Sequence, residues 1–368
     1  MGDWSQLIPD LLVSIARRIQ LVEDFVAFGG VCSSWRAAAT KDNFVKSWPT
    51  VPLLMLAEEK DCEDREFYSL SRGKIWRRLS LPEAKGKKCM ESRGWFVTLE
   101  GNSGEMNLLH PFTRVQIELP NQKTFPDYEL YEPENPRCFL LRAVLSADPS
   151  DTSDYVLVVV HSGGRHLGFW RPGDKSWTRI AAKRTGAFSD VNYYKGKFYA
   201  IDYSGRIWIW EDGDDEARFL FCIDTRIIDV DARQWYLVES EGELLIVGRD
   251  GVHFEDDEET YGATNFRVIH LDLVKSDWKE IRNLGERAIF VGHNSALSVD
   301  VASFPGIIKP NCIYFTDDSI EAYYWTLSQQ GGGKDMGIYN LEDGKIERFD
   351  SIQSFSLIGP PVWISPSL

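Results

Sequence analysis

Six histidines, His110, His161, His166, His253, His270 and His293, are the first residues to test for chemistry. A hydrolytic metal centre needs them clustered, as in H-E-x-x-H, where two imidazoles four residues apart share one helix face. No such run occurs, and His161 and His166 have no further ligand near them in sequence, so no metal site is expected. The stretch QQGGGKD (329–335) offers glycines and a lysine that could cradle a phosphate. Ser328 stands where the first glycine of a phosphate loop belongs and Asp335 follows the lysine, so the stretch reads as a hairpin loop. No G-x-S-x-G turn is present to expose a nucleophilic serine. Paired carboxylates could cleave a glycosidic bond, but 56 Asp and Glu in 368 residues supply pairs by chance. No catalytic residue, metal or cofactor is expected.

Binding chemistry is also bounded by composition. The formal net charge is −15, which repels nucleic-acid phosphates and anionic membranes alike. Two acidic runs, Glu211, Asp212, Asp214, Asp215 and Glu216, then Glu255, Asp256, Asp257, Glu258 and Glu259, read first as solvated loops and second as a rim that steers a basic target. Cys32, Cys62, Cys89, Cys138, Cys222 and Cys312 are scattered without a C-x-x-C pair. They predict reduced thiols in nucleus or cytoplasm. The longest plain apolar run, VLVVV (156–160), is far short of the ~20 residues of a membrane-spanning helix. Asp3, Pro9 and Asp10 interrupt any signal-peptide core at the N-terminus.

The elements that would carry a site are mostly short strands. EFYSLSRGKIWRRL, MNLLHPFTRVQIEL, HLGFWRPGDKSWTRI, FRVIHLDLVKSDWKEI and MGIYNLEDGKIERF each read as strand, turn, strand. Trp76, Trp177 and Trp278 recur 101 residues apart, which is two units of the ~50-residue period of propeller blades, and are expected to pack between blades. Six units follow, roughly 51–83, 88–120, 138–180, 188–223, 234–284 and 287–350. The fold class is therefore mainly β, a β-propeller with six blades favoured and seven open. Radial closure leaves few exposed sheet edges. The first unit is one strand short, and PPVWIS (360–365) is placed to close the ring. The competing fold is a large irregular β-sandwich.

Ahead of the strands the pattern changes. Pro9 suits the first turn of a helix, and Leu12, Ile15 and Ile19 recur on one face, flanked by Ile8 and Leu11. LVEDFVAFGG predicts a second helix stopped by left-handed glycine at Gly29 or Gly30, and VCSSWRAAAT a third. Three helices in ~40 residues enclose little core. Their apolar side chains are expected either to cap the following domain or to stay exposed for another polypeptide. The expected organisation is a helical module over 1–45, a linker over 46–50 and the β-domain over 51–368.

LIPDLLVSIARRI…EDFVAFGGVCSSWRAAA resembles the F-box motif, with its L-P-x-[DE]-L-L-x-x-I opening and V-C-x-x-W-R close. GKIWRRLSLPE, LLHPFTRVQIELP, WRPGDKSWTRI, KGKFYAID, LGERAIFVG and NCIYFTDD resemble, in order, the C-terminal propeller-like domain of many plant F-box proteins of the Skp1-interacting type. The resemblance implies that Ile8, Pro9, Leu11, Leu12, Ile15, Val31, Cys32 and Trp35 form or support a contact with an Skp1-type adaptor and, through it, a cullin. It implies a non-catalytic substrate-recognition subunit of a ubiquitin ligase, whose target it does not name. The alternatives are a propeller that masks a signalling protein without ligase output, its helices a cap, and a propeller enzyme with carboxylates in a central pocket.

Overall fold

The computed structural model describes residues 4–366 apart from 20, 45–49, 59–63, 77–78, 132–135, 184–185, 224–233, 252–261, 319–331, 334, 350–351, 353, 355 and 357. The expected linker, the acidic run Glu255–Glu259 and most of QQGGGKD lie outside the described residues.

Among the described residues the strands form five mostly antiparallel sheets, and because one of eight strands holds two meanders they are described as six units. The first holds β1 (Leu53–Met55), β2 (Phe67–Ser69) and β3 (Lys74–Trp76). Then come β4 (Lys87–Ser92), β5 (Trp95–Glu100), β6 (Met106–Leu109) and β7 (Gln116–Leu119). The third unit is β8 (Leu140–Leu145), β9 (Leu157–His161), β10 (His166–Trp170) and β11 (Thr178–Ala182). The fourth is β12 (Phe188–Tyr194), β13 (Lys197–Asp202), β14 (Arg206–Trp210) and β15 (Glu216–Cys222). The fifth is β16 (Gln234–Ser240), β17 (Glu243–Asp250), β18 (Asn265–Asp272) and β19 (Asp277–Ile281). The sixth is β20 (Arg287–Val291), β21 (Leu297–Asp300), β22 (Cys312–Phe315), β23 (Gly337–Asn340) and β24 (Ile346–Arg348). Units two to five are simple meanders. The sixth is not: β20 runs parallel to β22 and pairs β21 on its other side. The third and fourth units are stitched at their outer strands, where Ala181 and Ala182 pair in parallel with Glu216 and Ala217.

Ring closure is carried by side chains. Six apolar clusters each join two neighbouring units, from the first and second round to the sixth and first. A strand buried on both faces needs no polar alternation, which is why β9 reads as an unbroken run. Leu157 and Val159 enter the core shared with the second unit, while Val158 and Val160 enter that shared with the fourth. At the seam, β25 (Val362–Ile364) pairs antiparallel with β1. Its Val362 and Ile364 face the second unit and Trp363 faces the sixth. Trp76 and Trp177 are buried between units as expected. Trp278 is only half-buried, at the margin of the core between units four and five.

Three short helices precede the ring: α1 (Pro9–Ala16), α2 (Val22–Gly29) and α3 (Ser33–Ala38). They differ from expectation in two ways. Gly30 ends α2 at φ −81°, in the right-handed region. Gly29 serves close packing instead, since a Cβ there would lie 3.0 Å from the Ala39 Cβ. The helices also share their core with the ring: Leu12, Ala16, Val22, Phe25, Phe28 and Ala38 join Leu53, Met55, Phe67 and Trp76 in one cluster. Polar contacts reinforce this seat. The buried Glu23 carboxylate accepts hydrogen bonds from the Ser69 and Ser71 hydroxyls, and Arg72 pairs with Asp24. Among the described residues no helix is long and apolar enough to cross a membrane.

Candidate functional site

The residues singled out at the N-terminus divide between two faces of α1. Leu12 is 1 % exposed and points into the shared core with Ala16. Ile8, Leu11 and Ile15, spaced three and four apart, form the adjoining stripe and are 59 %, 50 % and 39 % exposed. The sequence reading had placed Ile15 on the face of Leu12. One position is about 100° of helix, and the choice of buried stripe depended on where the ring sits. Leu12 therefore supports the exposed stripe from behind. Pro9 lies exposed at the start of α1. Val31 is also exposed, in the turn between α2 and α3.

Trp35 and Cys32 shape this surface. The Trp35 ring packs on Phe28 at 4.6 Å, and its Nε1 donates to the Trp4 carbonyl at 3.1 Å. The turn Trp4–Gln6 is thereby held against α3, with the Trp4 indole exposed. Cys32 precedes α3 with extended backbone, its Sγ 3.1 Å from the Ser34 Oγ. Trp4 had not been singled out; an aromatic four residues before Ile8 was the available signal. Among the described residues, five of ten exposed large apolar side chains (Trp4, Ile8, Leu11, Ile15 and Val31) fall within residues 4–31, which concentrates the apolar surface on one module.

The acidic run 211–216 is largely neutralised by its neighbours. Glu211 faces Lys197 at 3.0 Å, Glu216 faces Lys183 at 3.3 Å, Arg218 lies 3.7 Å from Asp214, and Arg171 forks onto Asp212. Asp215 is exposed. Paired charges in solvent project little field.

A buried polar network not anticipated from sequence fills the middle of the ring. Arg142 on β8 bonds Asp318 at 2.8 Å and lies 3.3 Å from Asp190 on β12. Asp318 also accepts from Arg249 and from the Tyr236 hydroxyl, each at 3.0 Å. Asp335 is clasped by Arg249 and Arg348. Burial pushes the Asp190 carboxyl up to about 7, against the pull of Arg142. Burial likewise drives Lys88 down to about 7 and Glu91 up to about 8. The one available signal was a charge inside an apolar strand, as in LLRAVL. These carboxylates are engaged by arginines, so the network reads as a structural plug along the axis. Among the described residues no group of three His, Cys, Asp or Glu is placed to hold a metal ion.

Comparison with known proteins agrees with this architecture. F-box protein SKIP23 of Arabidopsis thaliana is 24% identical over 99% of this chain and 96% of its own length. F-box protein At2g26160 of the same plant is 25% identical over 86% of this chain and 96% of its length. F-box protein At4g35733 is 24% identical over 98% of both. Among solved structures, a chain of a nidogen/laminin complex aligns with 86% of this chain and 99% of its own at 9% identity and TM-score 0.43. TolB from Acinetobacter baumannii aligns with 85% and 66% at 10% identity and TM-score 0.41; at such scores nothing is argued from either. The family model of the KIB1-4 beta-propeller matches residues 67–340, nearly the whole ring of sheets described above, and the chain belongs to that family.

Proposed function

We propose that this protein is the substrate-recognition subunit of an Skp1–cullin–F-box ubiquitin ligase, with an F-box at the helices and six blades behind it. In this reading Trp4, Ile8, Leu11, Ile15 and Val31 meet an Skp1-type adaptor, with Pro9, Leu12, Cys32 and Trp35 shaping the surface. The propeller holds a target in nucleus or cytoplasm. The work is positional: tethering converts an encounter between target lysine and charged enzyme into a local event at high effective concentration. The observation that carries the reading is the apolar stripe of α1, left outward although the adjoining face is anchored in the ring's own core. The F-box names of the full-length relatives point the same way.

A second reading, a propeller that masks its partner without ligase output, draws on the same anchoring, because helices seated on the ring can serve as a cap. Affinity capture of the tagged full chain with the proteasome inhibited separates the two. Recovery of an Skp1-type adaptor, a cullin and a ubiquitylated target supports the ligase; a target without the adaptor removes it.

A further inference from the structure

On this acidic chain one cleft is lined by cations. It encloses about 350 Å³ between the turn joining β9 to β10 and the segment entering β12. Arg165, His166 and Arg179 line it, and Gly163, Gly186 and Ala187 keep its walls low. The two sides are fastened together, since Phe188 N–H donates to the Gly164 carbonyl at 2.8 Å and Tyr203 N–H to the Ala187 carbonyl at 3.0 Å.

Both arginines are presented rather than consumed. Arg165 lies over the Tyr131 ring at 5.5 Å, and its Nη1 donates to the Ser162 carbonyl at 3.5 Å. Among the described residues no carboxylate is within ion-pair distance of it. Arg179 uses one nitrogen on Asp127, at 2.8 Å, of the five N–H donors a guanidinium carries. The acid behind Gly186 is held from its far side: the buried Asp202 accepts at Oδ1 from the Ser204 and Arg206 N–H groups at 2.9 and 3.1 Å, and its Oδ2 lies 4.0 Å from the Arg206 guanidinium. Beside the cleft stand Tyr131, beneath Arg165 and 5.2 Å from the His166 ring, and Tyr203, 39 % exposed, whose N–H meets the lining residue Ala187. Planar guanidinium groups beside aromatic side chains make a surface for an oxyanion on a peptide.

We propose that this cleft binds a phosphorylated, acidic peptide segment, with Arg165 and Arg179 gripping the oxyanion and Tyr203 receiving a neighbouring residue. As an anion site the cleft stands by itself; as the place where a target is recognised it rests on the ligase reading above. The assignment reverses the polarity expected from the acidic runs, which would select a basic target.

The test uses the full chain labelled with ¹⁵N-arginine and titrated with O-phosphoserine, glutarate and free serine, followed by a degenerate peptide pool in phosphorylated and unphosphorylated forms. Shifts confined to the Arg165 and Arg179 side-chain signals, with phosphoserine ahead of glutarate and serine silent, are expected. The phosphorylated pool should bind at least tenfold tighter than the plain one. Arg165→Ala and Arg179→Ala should each weaken it roughly tenfold, and Arg165→Lys less. Equal shifts at Arg171, equal binding of both pools, or capture of single-stranded RNA in preference to peptide would overturn the proposal. Both positions are solvent-exposed, so the variants should fold. Adaptor capture by Arg165→Ala reports on the ligase reading separately.

Discussion

Replacing Ile8, Leu11 and Ile15 together by alanine tests the outward stripe of α1 in magnitude as well as sign. Full burial of such a side chain is worth about 1.5–3 kcal/mol, and these three are 59 %, 50 % and 39 % exposed in the free chain. Covering the exposed half of each on complex formation gives about 1 kcal/mol per residue. The triple variant should therefore lose roughly 3 kcal/mol of adaptor affinity, more than a hundredfold in Kd. Its own stability should fall by about 1–2 kcal/mol in all, because each side chain is partly buried and truncation loses that packing. Leu12→Ala is the counterweight. At 1 % exposure in the core shared with Phe67 and Trp76, it should cost about 2–5 kcal/mol of folding stability. Titration calorimetry against an Skp1-type adaptor and thermal denaturation measure the two quantities on the same samples. Unchanged affinity in the triple variant, or a melting point lowered as far as that of Leu12→Ala, would show that the stripe serves the chain's own core and would refute the reasoning.

Three further outcomes follow from the ring. Burial raises the Glu91 carboxyl to about 8 while it accepts the Gly94 N–H. Its stabilisation is thus full below the ordinary carboxylate pKa near 4.5 and fades as pH rises through 8; between pH 5 and 7.5 the parent should lose roughly 3 kcal/mol more than Glu91→Gln, and parallel denaturant midpoints across that range would disprove it. Arg142→Met leaves Asp190 and Asp318 short of a shared cation and should cost about 3–5 kcal/mol; adding Asp190→Asn and Asp318→Asn should recover part of it, and no recovery would mean the loss is one of packing. Trp177 is 2 % exposed, stacks on Phe125 at 4.7 Å and donates to the Pro120 carbonyl at 2.9 Å, so Trp177→Ala should cost about 3–5 kcal/mol in chemical denaturation and the half-buried Trp278→Ala clearly less; equal losses would contradict the burial difference.

Local pattern carried most of the architecture. Strands, turns and their spacing are short-range properties, so the hairpins, the strand at 362–364 that completes the first sheet and the three leading helices were all legible in order. The faces of those helices were not. Leu12 and Leu11 are adjacent leucines, and only the seat of α1 against Phe67 and Trp76 makes one core and the other surface. Gly30 keeps a right-handed backbone, and Gly29 serves close packing against Ala39 rather than a left-handed stop. The axial network and the cationic cleft lay further out of reach. Arg142 meets Asp318 across 176 residues of chain, and Arg165 and Arg179, carried by one hairpin, line a cleft only because the segment entering β12 folds against it. The sequence by itself determined which segments are strand or helix, because hydrophobic period and turn chemistry act over a few residues. Tertiary structure alone decided which face each segment buries and which distant charges meet, because those depend on the closure of the ring.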